Sequence, residues 1–140
     1  MSSVPRRLRK TTDLQAIITA QDLQISLTKY VLNDKNVPKK WRIVIVQPLI
    51  SDIDSIVDNL TWANSIYAQT EEDWKERENC QLKAMRYCWQ VHNKIVRMIE
   101  CVPSVNVDSM EVVLSNLTDT LDLIKNWRKS DKERMKKQNN

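Results

Sequence analysis

Basic residues are the most distinctive chemical feature of this sequence, and they are unevenly placed. Residues 1–10 carry four basic and no acidic side chains, and residues 125–140 carry seven basic against two acidic. The remaining chain holds eleven basic and sixteen acidic residues. This asymmetry indicates a polyanionic partner, although fraying, solubilising termini would explain the same charges. The candidate phosphate-binding residues are Arg6, Arg7, Arg9, Lys10, Lys35, Lys39, Lys40, Arg42, Lys125, Arg128 and Lys129.

Cysteine, histidine and aspartate side chains offer weaker possibilities. Cys88 and His92 are four residues apart, but structural zinc needs four ligands, and no second histidine exists. A cysteine–histidine nucleophile would also need a cleft and an orienting third group. Asp54 and Asp58 share a helical face, for which an outer acidic surface is the default interpretation. We therefore predict no catalytic residues, no metal and no cofactor.

The sequence contains no glycine. Phosphate-binding loops and dinucleotide fingerprints need glycine where the backbone approaches a phosphate, so these nucleotide-binding motifs are excluded. Primed hairpin turns need glycine as well, which argues against a protein rich in tight β-turns. The composition indicates an all-α protein.

Hydrophobic spacing predicts four helices with short connections, at about residues 13–33, 39–68, 71–101 and 109–130. Residues 1–12 are expected to form a flexible basic arm, and residues 131–140 a basic tail that frays, either directly or after continuing as a solvated helix. Thr70 with Asp73, and Asp108 with Glu111, are predicted to cap helices three and four. The predicted fold is an antiparallel up-down-up-down four-helix bundle.

Each predicted helix has an apolar stripe that should face the core. In helix one the stripe includes Ile17, Ile18, Ile25 and Leu32, and in helix three it runs from Trp74 through Cys88 and Trp89 to Val96 and Ile99. Helix two continues its stripe to Tyr67, and helix four carries the residues Met110, Val113, Leu114, Leu117, Leu121, Ile124 and Trp127.

Helix two has three further features. Pro48 lies inside it, and either the helix kinks there, because proline removes one backbone hydrogen bond, or it only begins at Pro48; we favour the kink. Trp41 lies among basic residues, where it either stacks on a base or closes the end of the bundle.

The segment Ile43–Val46 is apolar on all sides, and Trp62 and Trp74 lie off or at the margin of the main stripes. We therefore expect a homo-oligomer, because one bundle covers only the inward stripes.

Two short motifs resemble a known family. The segment Val37-Pro38-Lys39-Lys40-Trp41-Arg42 opens helix two, which ends at Trp62-Ala63-Asn64-Ser65, and Ile124-Lys125-Asn126-Trp127-Arg128-Lys129-Ser130 closes helix four. Together they resemble the four-helix-bundle family that includes Avd, the accessory variability determinant of diversity-generating retroelements. The likeness spans roughly residues 14–130. The sequence departs from the family in lacking its glycine and phenylalanine, and Asn126 stands where a glycine is common.

The resemblance implies a basic, non-enzymatic protein that assembles into a ring, most often a pentamer. Such a protein would bind a reverse transcriptase and a structured template RNA and support cDNA synthesis in mutagenic retrohoming. A sister branch of unclear function is encoded within ribosomal RNA genes. The alternatives are a protein-interaction scaffold without a nucleic-acid role and, less favoured, a general nucleic-acid-binding or DNA-compacting protein. We expect a cytoplasmic setting with no membrane partner, because the three cysteines lack a disulfide framework and no apolar run is long enough to span a bilayer.

Overall fold

Four helices make up most of the described chain. The computed structural model describes residues 12–139, with side chains from Gln15 onward. The helices are α1 (Thr12–Val31), α2 (Gln47–Ser65), α3 (Glu71–Cys101) and α4 (Val107–Asn139). A 3₁₀ turn at Lys39–Trp41 and a π-helical turn at Arg42–Val46 lead into α2. Residues 12–139 contain no strand, so the predicted all-α, four-helix fold is confirmed.

Each helix packs against two others around one core. α1 and α3 each contact both α2 and α4. The core is continuous and is built from apolar seams in which buried residues recur every three or four positions. Its largest fully buried side chains are Leu23, Leu27, Leu49, Ile53, Ile56, Leu60, Ile95, Met98, Met110, Ile124 and Trp127.

The predicted stripe of α1 was partly wrong. Ile25 and Leu32 are 47% and 48% exposed, whereas Leu23 and Leu27 are buried. The buried seam also uses Ala20, a residue whose small side chain lets a neighbouring helix approach. Apolar residues occupy two overlapping helical registers in α1, and only packing against α2 and α4 selects the inner one.

The predicted stripe of α3 was also partly wrong: Trp74, Cys88 and Ile95 are buried as expected, but two seams lie one residue apart on this helix. The inner seam passes through the polar residues Arg77 and Gln81, which are both buried, and then through Ala84 and Cys88. Trp89 and Val96 belong to the neighbouring seam and are exposed. Because two of the inner positions are polar, the hydrophobic pattern alone did not identify which face of α3 is buried.

The regular α-helix α2 begins at Gln47 with Pro48 in its first turn, which is closer to the alternative of a start at Pro48 than to the favoured kink. Because Pro48 has no N–H, it cannot donate to the carbonyl of Val44 four residues earlier. That carbonyl accepts instead from Nη2 of Arg97 on α3, at 2.6 Å. The preceding turn widens into a π-helix, in which the Gln47 N–H bonds to the carbonyl of Arg42. The chain thus stays helical from Lys39 onward and changes its helix type before the proline.

The predicted cap of α3 is confirmed, and that of α4 is corrected. Oγ1 of Thr70 accepts from the Asp73 N–H, and Oδ2 of Asp73 accepts from the Thr70 N–H, both at 3.1 Å. α4 begins at Val107 rather than behind Asp108, and Asn106 is its cap. Oδ1 of Asn106 accepts from the N–H groups of Asp108 and Ser109, at 2.9 and 3.4 Å.

Two other boundaries differ from the prediction. α2 ends at Ser65, and Tyr67 beyond it is exposed rather than part of the core stripe. α4 continues through the expected tail to Asn139. The continuation has a physical reason, because Asp131 is buried against α3 and Oε1 of Gln138 accepts from Nε1 of Trp74 at 2.9 Å.

Candidate nucleic-acid interface

Four of the predicted phosphate-binding residues lie in the connection between α1 and α2. We call Lys35, Lys39, Lys40 and Arg42 the α2-entry cluster. Asp34 lies within it, 2.8 Å from Nη2 of Arg42 and 3.8 Å from Nζ of Lys39. Lys35, Lys39 and Lys40 are exposed, whereas Arg42 is half-buried. Four cations against one carboxylate leave a positive surface at this end of the bundle.

Trp41 anchors the α2-entry cluster to the protein. Its ring is half-buried and packs against the core. The ammonium of Lys40 lies 5.4 Å from the ring centroid, a cation–π geometry. This arrangement matches the interpretation of Trp41 as an aromatic that closes the bundle end.

The second cluster, Lys125, Arg128 and Lys129 on α4, is partly neutralised within the molecule. Nη2 of Arg128 lies 3.5 Å from Oε2 of Glu78 on α3, and Nη1 donates to the sulfur of Met85 at 3.9 Å. Lys132 shares the same glutamate at 3.8 Å. Lys125 and Lys129 remain exposed. Glu78 of α3 therefore offsets part of the charge of this cluster, and Lys125 and Lys129 stay available at the surface.

The structure does not bring the two clusters together. Near the α2-entry cluster, the hydroxyl of Tyr30 at the end of α1 accepts from the N–H of Asn106 just before α4, at 2.8 Å. At the other end of the bundle, Trp74 at the start of α3 donates to Gln138 near the end of α4. The α2 entry and the end of α4 thus lie at opposite ends of the molecule. The four predicted residues Arg6, Arg7, Arg9 and Lys10 fall outside the described residues.

Sequence reasoning missed a buried polar network between α3 and α4. Nη2 of Arg77 donates to Oδ1 of Asp131, and Nε2 of Gln81 donates to Oδ2 of the same carboxylate, both at 2.9 Å. The Arg77 guanidinium also lies 5.4 and 5.5 Å from the ring centroids of Trp74 and Trp127. The available signal was spacing, because positions 74, 77, 81, 84 and 88 alternate three- and four-residue steps.

The fold leaves Cys88 and His92 as neighbours on α3, where both line one pocket, and places Asp54 and Asp58 on another helix, α2. Cys88 is buried, and burial raises the pKa of its thiol to about 12, so it stays protonated near neutrality. Asp54 accepts from Nε2 of Gln24 at 2.9 Å. Within residues 12–139, no group of three or more histidine, cysteine or acidic side chains has the arrangement of a metal site.

The helices show no membrane-spanning character. Over the same part of the chain, no helix combines the length and apolar composition needed to cross a bilayer. No protein-family model, no curated protein and no solved structure matches this chain.

Proposed function

We propose that this chain is a non-enzymatic RNA-binding accessory protein of a diversity-generating retroelement. It associates with the reverse transcriptase and the structured template RNA and supports cDNA synthesis in mutagenic retrohoming. The observation that carries the proposal is the α2-entry cluster, where the motif that resembles the Avd family coincides with three exposed lysines at one end of the bundle.

The proposed arrangement of the helices is an antiparallel up-down-up-down bundle. Three contacts support it. The end of α1 meets the residue before α4, the entry to α2 meets Arg97 near the end of α3, and the start of α3 meets the end of α4. Consecutive helices would then run in opposite directions, as short connections favour.

The proposed assembly is a homo-oligomer, with a pentameric ring the favoured form. Ile43 and Trp62 are 75% and 59% exposed on the α2 side of the molecule, and Trp89 is 55% exposed on α3. Large exposed apolar side chains are typical of interaction surfaces. Charge separation adds to this argument, because residues 47–65 contain only acidic charges and residues 79–99 only basic ones. Asp52 and Lys94 are paired within the molecule, but other charges of the two helices, such as Asp58 and Lys83, are exposed. Between neighbouring copies such charges would attract each other, and a head-to-tail contact that closes forms a ring.

RNA would be held through its phosphates. Lysine and arginine release condensed counterions when they bind phosphate, and the affinity then falls steeply with salt. A ring repeats the α2-entry cluster in every subunit and so presents a belt of positive charge. Phosphate contacts carry no sequence information directly, so preference for the template RNA would depend on its shape or on the polymerase.

A protein-interaction scaffold of the same family is the second candidate. The observation in its favour is that Arg128 and Lys132 are paired with Glu78 inside the molecule. Under this alternative the basic residues mainly keep the protein soluble, and the exposed tryptophans contact the partner.

Binding of the purified full chain to a long structured RNA and to a matched DNA duplex tests the proposal. Salt should be titrated from about 50 to 300 mM, because phosphate-driven affinity falls by orders of magnitude over such a range. RNA-preferring binding that persists near 150 mM, followed by co-purification with the reverse transcriptase, would support the proposal. Loss of binding near 150 mM would favour the scaffold, and equal affinity for the duplex would indicate a general nucleic-acid-binding protein.

A further inference from the structure

A groove lies between the first turns of α3 and the last turns of α4. Its volume is about 240 Å³. Pockets for drug-sized ligands are commonly about 300–1,000 Å³, so the groove suits one planar ring system rather than a larger ligand. The predicted phosphate-binding residues do not line it.

One residue that lines the groove has a buried hydrogen-bond acceptor without a partner among the described residues. Gln81 lines the groove and is fully buried, and its Nε2 donates to Asp131. An ionised carboxylate only accepts hydrogen bonds, so the amide nitrogen must face Asp131. Oε1 of Gln81 is then directed elsewhere, and no group among the described residues donates to it. A buried acceptor left unpaired is costly, so an occupant with an N–H donor would be favoured there.

The walls of the groove are suited to a flat, largely apolar occupant. Trp74 and Met135 line it from opposite helices. The hydrogen bond from Nε1 of Trp74 to Gln138 fixes the orientation of the indole ring. A held aromatic ring and a polarisable thioether both pack well against the face of a heteroaromatic ring.

The groove is lined by three lysines and three acidic side chains, one of which, Asp131, is paired with Arg77. Lys75 and Lys132 are paired with Glu71 and Glu78, at 3.6 and 3.8 Å. Lys136 also lines the groove, is exposed and has no ion-pair partner among the described residues. It therefore supplies a cation at the mouth of the groove, where an anionic group attached to the occupant would lie.

We propose that this groove binds one unpaired nucleobase of single-stranded RNA. The base lies between Trp74 and Met135 and donates an N–H to Oε1 of Gln81, and the adjoining backbone phosphate contacts Lys136. The inference rests on the proposed RNA-binding function and adds a site for an unstacked base, a mode in which aromatic side chains replace base stacking. Every base has a donor edge, so the site would bind bases with little discrimination.

Fluorine NMR on the full chain labelled with 5-fluorotryptophan tests the site. The five tryptophans give separate probes, which Trp→Phe variants assign. The four nucleoside 5′-monophosphates should shift the Trp74 signal, and inorganic phosphate alone should not. The Q81M variant should weaken this binding by about three- to tenfold, as expected for the removal of one hydrogen bond.

Lys136→Gln and Lys137→Gln form a matched pair, because both lysines are exposed on α4 but only Lys136 lines the groove. The first variant should weaken nucleotide binding and the second should leave it unchanged. This comparison remains informative if Q81M fails to fold. Equal effects of the two variants, or a Trp74 signal that no nucleotide moves, would overturn the inference. A response to N-acetyltryptophanamide but not to nucleotides would also overturn it and indicate a protein-binding groove.

The long structured RNA separates this inference from the proposed function. If that RNA binds near 150 mM salt while mononucleotides leave Trp74 unmoved, the groove is not the base site and the proposed function stands. If mononucleotides bind at Trp74 but no RNA binds at that salt, the proposed function fails. The groove is then a site for free mononucleotides, and the inference that it binds an unpaired base of RNA is also overturned.

Discussion

Arg77 on α3 and Asp131 on α4 form an ion pair in which Nη2 and Oδ1 are 2.9 Å apart and both side chains are more than nine-tenths buried. Gln81 donates to the second carboxylate oxygen, and the guanidinium lies near two tryptophan rings. The pair joins α3 to a part of α4 that looks, from its composition, like a solvated tail. It therefore accounts for the continuation of the helix to Asn139 and for the groove beside it.

Removing one partner of this pair should be strongly destabilising. Asp131→Ala leaves the Arg77 charge buried without compensation, and the expected loss is about 3–5 kcal/mol in the free energy of unfolding. Urea denaturation measures this loss. Glu133→Ala, two residues along on the exposed side of α4, should change stability by less than about 0.5 kcal/mol. The double variant Arg77→Met with Asp131→Leu should recover much of the loss, and a failure to recover would contradict a purely electrostatic cause.

The core of α4 offers a second stability test. Ile124 is fully buried, whereas Lys125 beside it is exposed. Ile124→Ala should cost about 2–5 kcal/mol, because apolar burial is reduced and a cavity is left behind. Lys125→Ala should have little effect on the same denaturation curve. Similar small losses for both variants would mean that this seam of α4 does not face the core.

The cap of α3 predicts a dependence of stability on pH. Hydrogen bonds from the backbone N–H groups of Gln69 and Thr70 lower the pKa of Asp73 below its ordinary value of 3.8. A lowered pKa in the folded state stabilises the protein above about pH 3.8, and this contribution is lost as the pH falls through the lowered value. The stability difference between wild type and Asp73→Asn should therefore shrink in acid. Glu72→Gln serves as the control, and a difference that stays constant down to strong acid would contradict the cap.

The three cysteines should differ in reactivity. Cys101 is exposed, whereas Cys80 and Cys88 are buried and burial raises the pKa of both thiols, to about 12 for Cys88. A thiol-specific disulfide reagent at pH 8 should modify one cysteine rapidly and the other two only after denaturation. Cys101→Ser should abolish the rapid phase. Rapid modification of a second thiol in the native protein would contradict the described packing of α3.

The α2-entry cluster gives the mutational test of RNA binding. Replacing Lys39, Lys40 and Arg42 by Gln should weaken binding to structured RNA and flatten its salt dependence, by about 0.7–0.9 in the log–log slope for each phosphate that is no longer neutralised. Replacing Lys83 and Arg86 on α3 and Lys137 on α4 by Gln changes the net charge equally and is the control, because these three residues are exposed and lie outside both the cluster and the groove. Equal reductions in affinity for both variants would mean that net charge, rather than this cluster, determines the binding. Thermal unfolding of each variant confirms that the bundle is intact.

Sequence patterns alone were sufficient for the helical class, the number of helices and the cap of α3. These features depend on local chemistry. A Thr-x-x-Asp box satisfies backbone donors within one turn, and apolar residues at three- and four-residue spacing mark an amphipathic helix. The stripe of α4 was predicted correctly for the same reason, because most of its apolar residues share one register, with Val112 lying outside it and exposed.

Packing decided which of two registers is buried in α1 and α3, and it decided the fate of the charges. Gln81 and Arg77 are buried because Asp131, fifty residues or more away in sequence, completes their hydrogen bonds. No local pattern identifies such a partner. Likewise, the sequence alone indicates an unpaired cation at Arg128, whereas the fold places Glu78 beside it. The Val44 carbonyl, which Pro48 cannot bond, accepts a hydrogen bond from Arg97 on another helix. Local sequence sets what each helix can bury, whereas burial of a polar group depends on a partner that only the tertiary structure supplies.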